Sequence, residues 1–332
     1  MAVQITIVGL GQIGASIGLA LAAHRDQVTT LGHDRSAETA QRAKKLGAVE
    51  RIESNLPNAA AEADAIVLAL PADQIRASLQ AMARDLRPQA VILDTAPAKT
   101  LVSKWMKELL PDRAYVGLSP ALNPLYMESA ATGLDAAHAD LFVHGLMGIT
   151  APPGTPTGAL ELAASLSALL GAEAYFADQA EIDGVMAAAH LLPELAGAAL
   201  IDFLLAEPGW PDIRKLAGRP FTLASAALTP NETSGLAAAA ANDRDNLVRL
   251  LDGLEASLRE LRAAVASGDE KALRSRLERA RAGRAAWWAE RARADWNATE
   301  RGTTQLPKAG DLLKQQFGGL DRFFRRGARR DD

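Results

Sequence analysis

The stretch Gly9-Leu10-Gly11-Gln12-Ile13-Gly14 constrains this chain more than any other: it closes an apolar run (Ile5, Ile7, Val8) and opens a helical run of small residues from Ala15 to Ala22. Strand, glycine turn and helix in that order supply the context that a bare glycine pattern lacks. Gly9 is expected to make the tight turn, Gly11 to let the backbone approach a pyrophosphate, and Gly14 to let the helix pack closely on the strand. Gln12 and Ile13 open the helix, where free N–H groups and the positive end of the helix dipole favour an anion. A second apolar run, Val28 to Leu31, ends at Gly32-His33-Asp34. That sets a carboxylate about 20 residues past the last glycine, where a ribose-binding acid belongs. The pattern reads as a dinucleotide site. Asp34 favours NAD, because a carboxylate accepts from the ribose 2'-hydroxyl and repels the 2'-phosphate of NADP. Arg35 works against that preference, since it can pair with a phosphate, stack on the adenine or stay solvated, so NADP remains open.

Short apolar runs then alternate with helical stretches, as in parallel strands joined by crossover helices. Ala65 to Leu70 and Val91 to Leu93 read as buried strands, Tyr115 to Leu118 and Leu146 to Thr150 as further ones, and Glu173 to Phe176 as the last. Ligands bind beyond the carboxyl ends of such strands. The loops that open there, Leu70-Pro71-Ala72-Asp73, Asp94 to Lys99 and Ser119 to Pro124, are therefore expected to border the nicotinamide side. Leu70 and Pro71 are assigned to the cofactor. Beyond Asp178 the strand signals stop and the chain becomes helical. The fold class is α/β: a Rossmann-type doubly wound parallel sheet over 1–177, an all-α dimerisation and substrate domain over 178–297, and a basic amphipathic tail over 298–332.

A length of 332 residues suits two domains, and 48% apolar with 23% charged residues describes an ordinary globular chain. A net charge of -4 argues against a general nucleic-acid partner. Without cysteine there is no disulfide, thiolate nucleophile or cysteine-ligated metal. The first strand starts close behind Met1, which leaves no space for a leader, and a cytoplasmic protein is expected. Gly184 to Ala206 is long and mostly apolar, but Glu194 and Asp202 would each cost about 2.5–3.5 kcal/mol at bilayer depth. A buried helix, and no membrane span, is the expectation.

In the helical half, Leu247, Leu250, Leu251, Leu254, Leu258, Leu261 and Val265 form one stripe between Asn242 and Val265. Gly268-Asp269 interrupts it before a second long helix. Such faces are often buried against a second subunit, so a homodimer is expected. The tail carries eight basic residues among Leu312, Leu313, Phe317, Leu320, Phe323 and Phe324. It reads either as an extension folded on its own dimer or as an amphipathic contact for an anionic surface or partner.

These residues resemble the prephenate and arogenate dehydrogenases. The resemblance runs through the glycine turn, Gly32-His33-Asp34, Leu46-Gly47-Ala48-Val49, Ala63 to Pro71, Asp94 with Lys99, Tyr115-Val116-Gly117, Glu181-Ile182-Asp183 and Leu192-Pro193, covering roughly residues 1 to 295. It implies a dimer with an NAD(P)-binding Rossmann domain, a helical dimerisation domain and an active site between them. It also implies oxidative decarboxylation of a small-molecule substrate in tyrosine biosynthesis, with a histidine accepting a hydrogen bond from the reacting hydroxyl and an arginine holding a carboxylate. This chain departs from that pattern. Ser119-Pro120 stands where the family has histidine-proline, Asn123 replaces a glycine, Pro97 replaces a serine, and Leu223 to Ala227 contains no cation. A serine hydroxyl cannot replace imidazole as the proton acceptor. A buried carboxylate without a fixed cation needs a dense set of donors.

Candidate catalytic groups are His190, Ser119 and Lys99. His190 and Glu194, four apart on one helix, would share a face, and the carboxylate would raise the imidazole's pKa as in a general base; the alternative is a core histidine. Lys99 either binds a phosphate or substrate carboxylate or caps the helix that follows. Asn123 and Glu194 are assigned to the substrate, although a loop asparagine also serves turns. Asp183 reads as a cap or ion-pair partner near its helix start. No metal spacing occurs. Two function classes follow: an NAD(P)-dependent oxidoreductase with its substrate unchanged or altered, and a non-catalytic dinucleotide-binding dimer that senses cofactor or binds a partner.

Overall fold

The computed structural model describes residues 2–228 and 233–294, in two compact units. The first contains the described residues through Asp183 together with 233–239; the second contains 184–228 and 240–294. The basic tail lies outside the described residues.

The first unit begins with β1 (Val3–Val8), α1 (Gln12–Leu21), β2 (Val28–His33), α2 (Ala37–Lys45), a two-residue β3 (Arg51–Ile52) and α3 (Leu56–Ala61). It continues with β4 (Ala65–Leu68), α4 (Ala72–Met82), β5 (Val91–Asp94), α5 (Lys99–Leu109) and β6 (Ala114–Pro120), then β7 (Leu146–Thr150), α6 (Thr157–Leu169), β8 (Glu173–Phe176) and α7 (Gln179–Met186). The strand order is β3-β2-β1-β4-β5-β6-β7-β8. The order reverses at β1 and β4, the switch point where a nucleotide crevice opens in such sheets.

Both sheet faces are buried, which is why the strands are continuous apolar runs. Val67, Leu93, Val116 and Leu118 join Ile7, Ile17 and Phe142 on one face. Ile66, Leu68, Ile92 and Tyr115 join Ile75, Leu79 and Met106 on the other. One expectation fails: β7 runs antiparallel to β6, with Ser119 opposite Gly148 and Gly117 opposite Thr150. The excursion over 121–145 has only two short 3-10 turns, Pro124–Tyr126 and Gly133–Ala136, and no crossover helix to carry the chain back across a face.

The unit runs on to Asp183, past the boundary expected at 177/178, because Asp183 is itself bonded to the start of α5. In the second unit a π-turn at Ala187–Leu191 leads into α8 (Leu192–Ala206), followed by α9 (Trp210–Leu216) and α10 (Arg219–Ser225). Next come α11 (Thr233–Asn242), whose first part belongs to the first unit, α12 (Arg244–Ala266) and α13 (Glu270–Arg293). Pro193 in the first turn of α8 has no N–H to donate, and the ladder just before it shifts register.

The stretch Gln179–Ala206 is long and apolar enough to cross a membrane by length and composition, yet it contains Glu181, Asp183, Glu194 and Asp202. It is not the buried helix expected of it. Only Gly197 of α8 is buried, and Phe203 is 60% exposed. The stripe on α12 is also only partly covered in one chain: Leu247 is buried, but Leu258 and Val265 are exposed. Helix α13 packs along α12 through Arg276, which donates to Ser257 Oγ and pairs with Glu260.

Candidate active site

The glycine turn joins β1 to α1 at the switch point. Gly9 has φ +91°, a conformation that L side chains rarely adopt, and a Cβ there would lie 2.3 Å from the Ala69 carbonyl oxygen. A Cβ on Gly14 would lie 1.9 Å from the Gly9 oxygen, so the helix approaches the turn closely. Gly11 differs, because a Cβ there would meet nothing within 4 Å. Open space lies over that residue, and the start of α1 has no side-chain cap and no acid in its first turn. Free amides facing open space at a helix start fit a pyrophosphate. Gln12 and Ile13 are half-buried beside them, and Leu70 packs against Gly9 while Pro71 immediately precedes α4.

Asp34 ties the turn to the end of β2, with Oδ2 accepting from Leu10 N at 2.8 Å and Oδ1 from Ser36 N at 2.8 Å. Each oxygen keeps a second lone pair for a ribose hydroxyl. Arg35 is exposed beside it. The residues present therefore fit a dinucleotide with its adenosine half toward Asp34.

The expectation for Lys99 needs correction. Its side chain is wholly buried, and Nζ donates to Asp94 Oδ1 at 3.1 Å, the Asp94 carbonyl at 3.1 Å and the Leu118 carbonyl at 2.7 Å. Three donors meet three internal acceptors, which leaves none for a phosphate or substrate. Tyr115 donates to Asp94 Oδ2 at 2.6 Å and completes the cluster. Burial pushes the Asp94 carboxyl up and the Lys99 ammonium down, each opposed by the partner's charge. Tyr115 is raised well above its ordinary value by burial and by the Asp94 carboxylate. Gly117 makes the cluster possible, because a Cβ there would lie 2.7 Å from Lys99 Cδ. Asp183 caps a helix, but not its own: Oδ1 accepts from Lys99 N at 2.6 Å and Oδ2 from Thr100 N at 2.9 Å.

Ser119 is buried at the carboxyl end of β6, on the strand face shared with Tyr115 and Gly117. Its Oγ has no hydrogen-bond partner, and neither do Thr150 Oγ1 and Gln179 Nε2. Thr150, opposite Gly117, lies on the same face as Ser119. A buried orphan hydroxyl costs roughly 1–3 kcal/mol, and where a ligand is expected it marks a group held ready for one. Asn123, by contrast, serves the fold: Oδ1 accepts from Leu125 N at 3.1 Å and Nδ2 donates to the Asp140 carbonyl at 3.0 Å. Its assignment to the substrate gives way to the turn.

His190, in the second unit, sits on the π-turn. The ring keeps exposed surface, yet the chain around it lowers its pKa by desolvation. The upward shift expected from Glu194 does not occur, and desolvation by the surrounding chain sets the direction instead. Among the described residues no group of three His, Asp or Glu side chains is placed to hold a metal. Sequence reasoning missed the Tyr115 contact to Asp94 and the unpartnered Thr150 and Gln179, since pairing and packing between distant segments leave no local pattern.

Comparison with known proteins agrees with this geometry. The family described as "Prephenate dehydrogenase, nucleotide-binding domain" matches residues 17–176, starting just past the glycine turn. Cyclohexadienyl dehydrogenase of Zymomonas mobilis is 27% identical over 273 residues, 80% of this chain and 89% of that protein. Prephenate dehydrogenase of Bacillus subtilis is 29% identical over 201 residues, 59% of this chain and 52% of that protein. The structure of Synechocystis arogenate dehydrogenase superposes with TM-score 0.65 at 25% identity, covering 86% of this chain and 99% of that one. That of A. aeolicus prephenate dehydrogenase in complex with hydroxyphenyl propionate and NAD+ superposes with TM-score 0.72 at 20% identity, covering 86% and 98%, a likeness of fold. With the dinucleotide cradle, the mostly parallel sheet and the helical half in place, these likenesses support an NAD-dependent dehydrogenase that resembles the prephenate and arogenate dehydrogenases.

Proposed function

We propose that the protein oxidises a hydroxylated cyclohexadiene acid of the prephenate or arogenate kind with NAD, releasing carbon dioxide as the ring becomes aromatic. The observation that carries this reading is the open, uncapped start of α1 over Gly11, with Asp34 tied to the same turn. When bound, the nicotinamide supplies the hydride acceptor. The chain's own residues do the rest. The amides of Gln12 to Gly14 bind the pyrophosphate, and Asp34 orients the ribose and disfavours a 2'-phosphate, so NAD is preferred to NADP.

His190 is the proposed acceptor for the proton of the substrate hydroxyl. Desolvation lowers its pKa and leaves the ring neutral, the form that accepts at an imidazole nitrogen. Ser119 Oγ is the proposed hydrogen-bond partner of the substrate, holding rather than taking a proton. The substrate carboxylate has no arginine in the Leu223 to Ala227 stretch, and Arg214, Lys215 and Arg219 are the nearby cations in sequence. This difference favours a substrate altered at that carboxylate. The tyrosine-pathway role, the homodimer and a cytoplasmic location, where NAD is turned over, belong to the same proposal.

The second reading, a dinucleotide-binding dimer without catalysis, draws on two observations: Ser119 stands where imidazole is expected, and Lys99 is fully engaged inside the fold. Incubating the protein with NAD or NADP and prephenate or arogenate, while following absorbance at 340 nm, separates the two. A rise with either substrate supports the dehydrogenase. Tight NAD binding with no rise in any combination, and no rise with related hydroxy acids, establishes the binding-only reading.

A further inference from the structure

We propose that Gly235 is a positioning residue for the nicotinamide half of the dinucleotide site, setting how closely the first turns of α11 pack on Pro71. The inference rests on the reading of the glycine turn as a dinucleotide site and adds an element that the turn alone does not reveal. Residues 233–239 group with the Rossmann unit, although the chain on both sides belongs to the helical unit. They lie some 160 residues beyond the loop that they touch.

The contact has no slack. A Cβ on residue 235 would lie 2.8 Å from Pro71 Cβ, 3.5 Å from Pro71 Cα and 3.4 Å from Asp73 Oδ1. Carbon atoms in contact prefer roughly 3.5–4.0 Å, and a proline ring cannot swing aside as a flexible side chain can. Either α11 or the loop from Leu70 to Asp73 would have to retreat. Glycine inside a helix costs up to about 1 kcal/mol relative to alanine, and the run Ala237 to Ala241 shows what local propensity would put there. Gly235 is therefore a packing requirement. It is buried one turn before Ala239, which is wholly buried on the same side of the helix.

What Pro71 touches gives the contact its meaning. It follows Ala69 and Leu70, against which Gly9 of the phosphate-binding turn is pressed, and Ala69 N donates to the Val8 carbonyl at 2.8 Å. Gly9, Leu70, Pro71 and Gly235 thus form one close-packed row beyond the end of β4. Asp34, the acid for the adenosine ribose, stands at the end of β2, on the other side of β1. A shift at residue 235 should be felt by the nicotinamide half and not by the adenosine half.

The test compares two ligands on the full-length chain by calorimetric titration: NADH, which has both halves, and ADP-ribose, which lacks nicotinamide. Gly235→Val is expected to weaken NADH by about tenfold or more, the scale of an overpacking cost. ADP-ribose, which shares the pyrophosphate at the Gly9 turn but lacks the nicotinamide, should weaken several-fold less than NADH. Gly235→Ala should fall between, and it carries the test if thermal melting shows the valine variant unfolded. Gly253→Ala on α12, where a Cβ meets nothing within 4 Å, serves as the control and should leave both affinities alone. Equal weakening of both ligands, or no weakening of either, overturns the proposal. Failure of the unaltered protein to bind ADP-ribose or NADH removes the dinucleotide reading itself, and Gly235 with it.

Discussion

Lys99 and His190 show how two basic side chains take opposite roles according to what surrounds them. The Lys99 side chain is wholly enclosed and its three donors are used, so it acts through the peptide of Leu118 on the position of Ser119. Replacing it with methionine strands the Asp94 carboxyl and should cost about 3–5 kcal/mol, read from chemical unfolding. A loss below about 1 kcal/mol, the scale of a surface pair, would show that the buried Lys99–Asp94 pair contributes little to the fold. His190 keeps exposed surface and a pKa lowered by desolvation. His190→Asn should reduce kcat by about 10²–10⁴-fold with the NAD affinity unchanged. The sign of its pH dependence follows from the shift: the folded ring binds its proton less readily than the unfolded one. Stability from this group is complete above the unfolded value and is lost as pH falls below it. The acid limb of kcat/KM should then lie below the ordinary histidine value near 6.5 and vanish in the asparagine variant, as a pH–rate profile would show. Sequence reading reached both residues by position, but it had no means of deciding which one faced solvent.

At the scale of elements, the helix starts divide into two kinds. The start of α1 is left uncapped over open space, whereas the start of α5 is closed by both oxygens of Asp183 from α7. Asp183→Ala would leave the amides of Lys99, buried, and Thr100, part-buried, without acceptors. At roughly 1–3 kcal/mol for each orphaned group, the loss should be about 2–6 kcal/mol. Asp183→Asn keeps one acceptor and should lose about half of that. Thermal denaturation gives the totals, and faster hydrogen exchange at those two amides would locate them. The strands and most helices were legible because their periodicity is local: Val28, Ala65, Val91, Leu146 and Glu173 each begin a strand where an apolar run begins. The antiparallel return of β7 was not legible, since strand direction depends on how the chain travels between strands, and the 121–145 segment carries no periodic signal.

For the whole molecule, the helical unit exposes more apolar surface than one chain usually leaves open. Phe203, Leu205, Leu216, Leu223 and Val265 are each more than half exposed. We expect a second copy to cover part of this surface. Light scattering should then give twice the chain mass of 35.0 kDa, and Phe203→Glu should shift the population toward the single-chain mass. A wild-type protein at the single-chain mass at all concentrations would end that expectation.

The amino-acid sequence by itself determined the dinucleotide cradle and the alternation of strand and helix, because each rests on residues within about 20 positions of one another, and the family likeness, because it is a series of such local motifs in order. Only the tertiary structure decided that Lys99 is sealed from any ligand, that Asn123 belongs to a turn, that Asp183 caps a distant helix and that Gly235 reaches Pro71. The physical reason is the same throughout: burial and hydrogen-bond partnership depend on which segments pack together. Residues 84 or more positions apart, as Asp183 is from Lys99, meet through the fold and leave no spacing in the chain to read.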